Sequence, residues 1–230
     1  MDSVAHYGQN LSAAALRPAC LRALEGHAMV PMALYPMDGA SWLRDLVDAL
    51  EGQPLRAALD PVLTELLASA TGEALVALAA VLESRPGHVS GEALAAALAR
   101  AADAPVQARR SLARAAAAAM LAGEMPYAPA LRTHARDVPV RNWLASAYLL
   151  YDHAWTMTQL PGWFLGDLDA DDDLLVCLSS RLSGGELRAL RREAQAAAWP
   201  TVALAPLTEF VERIAELPQF ADRGDAVRWA

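Results

Sequence analysis

The chain contains no lysine, a single isoleucine and only two cysteines. All 19 basic residues are therefore arginines, and the chain has 27 acidic residues, which gives a formal net charge of -8. An acidic chain without a stripe of basic residues lacks the charge pattern that binds a phosphate backbone, so we expect no nucleic acid among its partners. The many Ala, Leu and Arg residues indicate a GC-rich bacterial coding sequence.

The sequence also has little that would place it in a membrane or outside the cell. Its first ten residues lack the basic and apolar segments of a secretory signal, and no apolar run approaches the roughly 18 residues of a membrane span. Cys20 and Cys177 lie in apolar helical segments, which favours buried thiols in a reducing compartment. We therefore expect a soluble, cytoplasmic protein with no membrane partner.

Motifs that carry known chemistry are missing as well. The five histidines include no HExxH and no pair four residues apart, and the chain has no GxSxG, no CxxC and no glycine-rich phosphate loop. The sequence therefore nominates no catalytic residue, no metal ligand and no cofactor. An enzyme is not excluded, because catalytic groups can assemble from distant segments.

The chain is rich in apolar residues at helical spacing, and 55% of it is hydrophobic. These patterns predict roughly nine to ten helices and no strand, hence an all-α multi-helix bundle or irregular helical array. Thr71 and Ser90 each cap a similar Gly-Glu-Ala-Leu helix start, 19 residues apart. Pairs of such helices would repeat at about the length of HEAT-like helical hairpins, which is an alternative form of the fold.

Local signals predict where several helices begin and end. Asp60-Pro61 and Pro206 are typical helix starts, and Ser183 with Glu186 spells a capping box. We expect one central helix from about 139 to 159. Glycine and prolines between residues 123 and 138 predict a loop, which offers a sub-boundary within an otherwise single helical domain, 1–230.

The stretch 138–181 holds about half of the aromatic residues, and two candidate sites lie within it. The first is on the central helix, where His153 adjoins Asp152 near Tyr148 and Trp155. A pocket that holds the His-Asp pair would suit general acid–base chemistry or a bound ligand. The alternative is a polar pair that is exposed or satisfied locally.

The second candidate site is an aromatic pair followed by an acidic run. Trp163 and Phe164 would supply an apolar anchor, rimmed by the carboxylates of Asp167, Asp169, Asp171 and Asp172. Such a surface would suit a basic protein partner. The alternative is that the aromatics belong to the core and the carboxylates to a helix start. An EF-hand starting at Asp167 fails, because its sixth and twelfth positions would be Asp172 and Leu178.

The leading hypothesis is therefore a soluble helical protein-binding module: an adaptor, a chaperone-like factor or an immunity-type inhibitor that uses the aromatic-acidic surface. The alternative is a small-molecule-binding helical bundle, an enzyme or a ligand sensor, with its pocket beside His153. The sequence leaves the oligomeric state open.

Overall fold

The computed structural model of the protein describes residues 12–24, 39–50, 55–123, 125–127, 129–165 and 173–215. Over these residues the chain forms eleven α-helices and three 3-10 helices, and it forms no β-strand. The all-α prediction is confirmed, and the number of α-helices is close to the nine or ten expected. None of the helices described is long and apolar enough to cross a membrane.

The chain divides into two compact units, Met1–Pro126 and Tyr127–Ala230. The division falls within 123–138, the stretch in which glycine and prolines indicated a sub-boundary. That stretch is not a loop throughout, because a 3-10 helix spans Pro129–Arg136. Whether the units form one folding domain stays a prediction.

The first unit is a set of helices built mainly from Leu and Ala. The α-helices are α1 (Ala13–Leu24), α2 (Gly39–Leu50), α3 (Arg56–Ser69), α4 (Gly72–Ser84), α5 (Gly91–Arg100) and α6 (Val106–Leu121), with 3-10 helices at Pro86–His88 and Ala101–Asp103. Helices α4 and α5 both pack on α6, α4 also contacts α2, and α5 also contacts α3. Ala115, Ala116 and Ala117 on α6 are completely buried, because their short side chains let neighbouring helices approach closely.

The second unit is organised around one helix that is buried on almost all sides. After the 3-10 helix Pro129–Arg136 come α7 (Val138–Tyr151), α8 (His153–Trp163), α9 (Leu174–Ser179), α10 (Gly184–Ala196) and α11 (Thr201–Ala215). Every residue from 140 to 149 of α7 is buried, as its wide apolar face predicted. Helices α8 and α9 pack on α7, and α11 contacts both α8 and α10.

The predicted single helix from 139 to 159 is wrong, because the chain breaks at Asp152. This residue has φ −143° and ψ 46°, outside the helical region, and it separates α7 from α8. The predicted end at about 159 is also wrong, since α8 continues to Trp163. The break turns the carboxylate of Asp152 towards side chains that precede α7.

Two predicted helix starts at proline are wrong, and two side-chain caps are confirmed. Helix α3 begins at Arg56 and α11 at Thr201, so Pro61 and Pro206 lie inside their helices. Each proline removes only one backbone hydrogen bond, and burial of the helix face outweighs that loss. The Ser183 capping box forms as predicted, and the Ser90 hydroxyl accepts from the Ala93 N–H at 3.3 Å. The predicted cap at Thr71 is wrong, because its side chain makes no cap hydrogen bond at the start of α4.

Both cysteines, Cys20 and Cys177, are buried and unbridged, as their apolar contexts indicated. Burial raises the pKa of the Cys20 thiol to about 12, so this thiol is protonated at neutral pH.

Candidate functional site

The helix break at Asp152 assembles a polar cluster in the second unit. The Asp152 carboxylate accepts hydrogen bonds from the Tyr127 hydroxyl at 2.6 Å and from Arg132 Nε and Nη2 at 2.6 and 2.8 Å. Arg132 thus holds the pKa of the Asp152 carboxyl below its usual value, and burial raises the pKa of the Tyr127 phenol to about 12. Asp152 therefore stays ionised at neutral pH and fixes the plane of the Arg132 guanidinium.

Three aromatic rings of the central stretch pack beside this cluster. The ring centroids of Tyr148, Trp155 and Trp163 lie 5.4 to 6.0 Å apart, with the two tryptophans edge to face. Tyr148 is completely buried, and its hydroxyl donates to the Leu131 carbonyl at 2.7 Å. Tyr148 is therefore a core residue that supports Trp155 and Trp163.

An open groove of about 850 Å³ runs along these two tryptophans. Of the described residues that line it, three are arginines and none is acidic. Arg132 lies over the Trp155 ring, 5.0 Å from its centroid, and Arg141 lies 5.7 Å from the centroid of Trp163. The lining residues are Arg132, Thr133, Ala135, Arg136, Arg141, Trp155, Gln159 and Trp163; we call this surface the arginine groove.

Arg141 is the unusual member of the arginine groove. Its side chain is only 9% exposed, and burial lowers the pKa of its guanidinium. Arg141 Nε donates to Asn142 Oδ1 at 3.0 Å, whereas its two terminal nitrogens have no partner within the described part of the chain. A buried cation without a counter-ion is costly, and proteins normally pair such groups.

Arg136 adds a second positive charge at the exposed edge of the groove. No carboxylate of the described residues forms an ion pair with it. His134, close by on the same 3-10 helix, has its pKa lowered by burial, so it is neutral at pH 7. The excess charge of the groove therefore comes from Arg136 and Arg141.

The structure separates the predicted Asp152-His153 pair. The Nε2 atom of His153 lies 2.6 Å from Glu193 Oε2 on α10, whereas Asp152 is bound by Arg132 and Tyr127. His153 is not one of the described residues that line the arginine groove. The two side chains thus have different partners and do not act on one proton.

The predicted aromatic-acidic surface is described only in its aromatic half. Trp163 is 5% exposed and contributes to the wall of the arginine groove, and Phe164 is half-buried, 6.0 Å from the ring of Trp199. Asp167, Asp169, Asp171 and Asp172 lie outside the described residues. Their neighbour Asp173 caps α9 by accepting from the N–H groups of Leu175 and Val176.

A second open groove, of about 770 Å³, lies in the first unit beside α3. His88 is 3% exposed there, with Nδ1 2.7 Å from Asp60 Oδ1. Glu65 is bound by Arg17 at 3.0 Å, and Arg56 also has a partner. Because its charged groups are satisfied internally, this groove is a weaker candidate than the arginine groove.

Sequence reasoning missed the arginines of the second unit and Tyr127. Arg132, Arg136 and Arg141 follow each other at spacings of four and five residues. They precede the segment that holds Trp155 and Trp163, and that spacing was the available signal. Over the described ranges, no group of three His, Cys, Asp or Glu side chains is arranged to hold a metal ion.

No family model matches the chain, and no curated protein or solved structure matches it either. The function is therefore inferred from the chemistry of the arginine groove alone.

Proposed function

We propose that the second unit binds a small anionic ligand in the arginine groove. Arg141 carries the proposal, because its side chain is only 9% exposed, lines the groove and has no carboxylate partner among the residues described. A guanidinium that is largely removed from water gains from a counter-ion, and an oxyanion in the groove would supply one. Arginine suits this role because its planar fork matches the two oxygens of a carboxylate or phosphate.

The surroundings of the groove support a ligand held in one orientation. The two bonds from Arg132 to Asp152 and its stacking over Trp155 fix this side chain before any ligand arrives. Asp152 and Tyr127 are thus positioning residues. The indoles of Trp155 and Trp163 offer an apolar wall to the uncharged part of a ligand.

The proposal is for binding and not for catalysis. Asp152 is held ionised by Arg132, and His153 is engaged with Glu193, so neither is poised to exchange a proton with a ligand in the groove. The ligand-binding alternative expected beside His153 is thereby kept in modified form. Its site moves to the arginine groove, which Trp155 lines and His153 does not.

The protein-binding hypothesis stays a prediction with less support. A buried Trp163 is poorly placed as an anchor for another protein, since its ring is 5% exposed. The acidic part of that surface lies outside the described residues. HEAT-like hairpins in the fold, and a bacterial, cytoplasmic setting, likewise stay predictions.

Thermal unfolding tests the proposal directly. Succinate or inorganic phosphate, exchanged for chloride at constant ionic strength, should raise the Tm of the protein because a ligand stabilises the state that binds it, by about 2.7 kcal/mol at a hundred times its Kd. Arg141→Met should abolish this rise, whereas Arg213→Met, which removes an exposed arginine of α11 away from the groove, should retain it.

In chloride alone, the Tm of the Arg141→Met variant should stay close to that of the wild type, since methionine fills a similar volume and removal of a largely buried charge offsets the lost hydrogen bond to Asn142. A large loss of stability in this variant would mean that Arg141 serves the fold. Absence of any anion-dependent Tm rise in the wild type would refute the proposal.

A variant with Asp167, Asp169, Asp171 and Asp172 all changed to Asn separates the two hypotheses. The ligand-binding proposal expects the anion-dependent Tm rise to persist in this variant. The protein-binding hypothesis expects capture of a basic partner by the wild type and its loss here.

A further inference from the structure

We infer that the ligand of the arginine groove is a doubly negative oxyanion, either a dicarboxylate or a phosphate monoester. The inference rests on the proposed function and specifies the charge of the ligand.

The positive charge of the arginine groove is only partly compensated by the described carboxylates. Asp152 accepts from both Nε and Nη2 of Arg132, so one of the three guanidinium charges is already compensated. Arg136 and Arg141 have no such partner in the described part of the chain. Two positive charges in one groove are best matched by a ligand with two negative charges.

The guanidinium nitrogens that are still available have a geometry that fits an oxyanion. Because Nε of Arg141 is used by Asn142, only its two terminal nitrogens can bind a ligand, and that pair fits two oxygens of one carboxylate or phosphate end-on. Arg132 has only Nη1 left, since its other nitrogens are held by Asp152. A monoanion bound at Arg141 would engage only one of the two groove arginines that have no described carboxylate partner.

The neutral polar side chains that line the groove contribute few free hydrogen-bond donors. The Thr133 hydroxyl donates to the Ala130 carbonyl at 2.8 Å, and Gln159 Nε2 donates to Thr158 Oγ1 at 3.1 Å. The free donors of the groove therefore belong mainly to arginines, which favours charge over a pattern of neutral polar groups. A volume of about 850 Å³ is within the range of small-molecule sites.

The experiment compares ligands that differ in charge. The full-length protein is titrated with succinate and acetate, and in parallel with glycerol phosphate and dimethyl phosphate, at pH 8 and constant ionic strength. Fluorescence of Trp155 and Trp163 reports occupancy, with Trp155→Phe used to assign the signal. Each dianion should bind at least about tenfold more tightly than its singly charged counterpart, because it gains a second charge-assisted bond.

Variants assign the two charges to residues. Arg136→Gln should lose the preference for the dianion, so that succinate binds about tenfold more weakly than to the wild type. Arg141→Met should bind none of the four compounds measurably, and Arg213→Met should reproduce the wild-type affinities for all of them.

The outcomes are distinguishable from failure of the proposed function. Equal affinity for mono- and dianions would overturn the inference and leave anion binding intact, whereas no binding of any compound would overturn both. Tighter binding of succinate than of glycerol phosphate would assign a dicarboxylate, and the reverse would assign a phosphate monoester. Either result, combined with a loss of preference in Arg136→Gln, supports the inference.

Discussion

Asp152 has two roles in the second unit: it ends helix α7, and its carboxylate orients the side chain of Arg132. The residue leaves the helical region between α7 and α8, and its carboxylate then binds Arg132 and Tyr127. The side chain of Asp152 is only 13% exposed, so the carboxylate end of these bonds is partly shielded from water, whereas Arg132 is 44% exposed. One carboxylate thus ties the 3-10 helix Pro129–Arg136 to the start of α8.

We expect this carboxylate to make the stability of the second unit depend on pH. Arg132 lowers the pKa of Asp152 in the folded protein, so its stabilising effect is present above the usual aspartate pKa of about 4 and is lost as the pH falls below it. Asp152→Asn should lower the Tm by a few degrees at pH 7. Thermal unfolding between about pH 7 and pH 3 should show this difference shrinking on acidification.

The matched control for that experiment is Asp48→Asn. This substitution removes an ion pair with Arg85 in which both side chains are 42% exposed, and such pairs contribute little to stability. Its Tm should follow that of the wild type across the same pH range. An Asp152→Asn deficit that is equally large at pH 3 would contradict the role assigned to the carboxylate.

The limits of sequence reasoning are visible at this scale. The types and spacing of Asp152, Trp155 and Trp163 are local information, and from them the sequence named these residues as candidates; the structure places both tryptophans in the wall of the arginine groove. The partner of Asp152 is Arg132, 20 residues away, and only the turn of the chain before α7 brings the two together. That Arg141 has no carboxylate partner among the described residues was even less predictable, because the pairing of a charge depends on its whole environment.

Among the helices, local hydrogen-bond chemistry predicted some ends and packing decided others. The capping box at Ser183 and the cap at Ser90 form because their bonds join atoms only three residues apart. Asp60 is bound by His88 and does not cap a helix, and α3 begins earlier at Arg56. A contact across 28 residues was not visible in the sequence of α3.

The start of α5 offers a test of close helix packing in the first unit. A Cβ atom added at Gly91 would overlap Met125 Cγ and Cβ and lie 3.1 Å from Met125 Cα, so the backbone itself would have to move. Gly91→Ala should therefore destabilise the protein by about 1–3 kcal/mol in urea unfolding. The cost should be smaller in a Met125→Ala background, because part of the overlap is removed.

Gly162→Ala is the corresponding control. Gly162 also lies in a helix, but nothing stands within 4 Å of the position of its added Cβ. Alanine has the higher helix propensity, so this variant should be as stable as the wild type or more stable by up to about 1 kcal/mol. Similar losses in both variants would show that the contact with Met125 is not the cause.

At the scale of the whole molecule, composition and local surface point to opposite partners. A net charge of -8 favours a basic partner, whereas the arginine groove favours an anion. Net charge describes the field far from the surface, and salt screens that field beyond about 8 Å at physiological ionic strength. A ligand inside the groove responds to the guanidinium groups beside it, so a total charge cannot predict its sign.

The two units also lead to a prediction about folding, since all described residues of the arginine groove belong to Tyr127–Ala230. A polypeptide of residues 127–230 should fold by itself, because α7 is buried by helices of the same unit. Circular dichroism should show helix and one cooperative thermal transition, and succinate should bind with an affinity within about twofold of that of the full chain. Residues 1–126 serve as the control, because they should fold but not respond to anions. An unfolded 127–230 fragment would instead favour the single domain, 1–230, that the sequence predicts, since its core would then depend on residues before Tyr127.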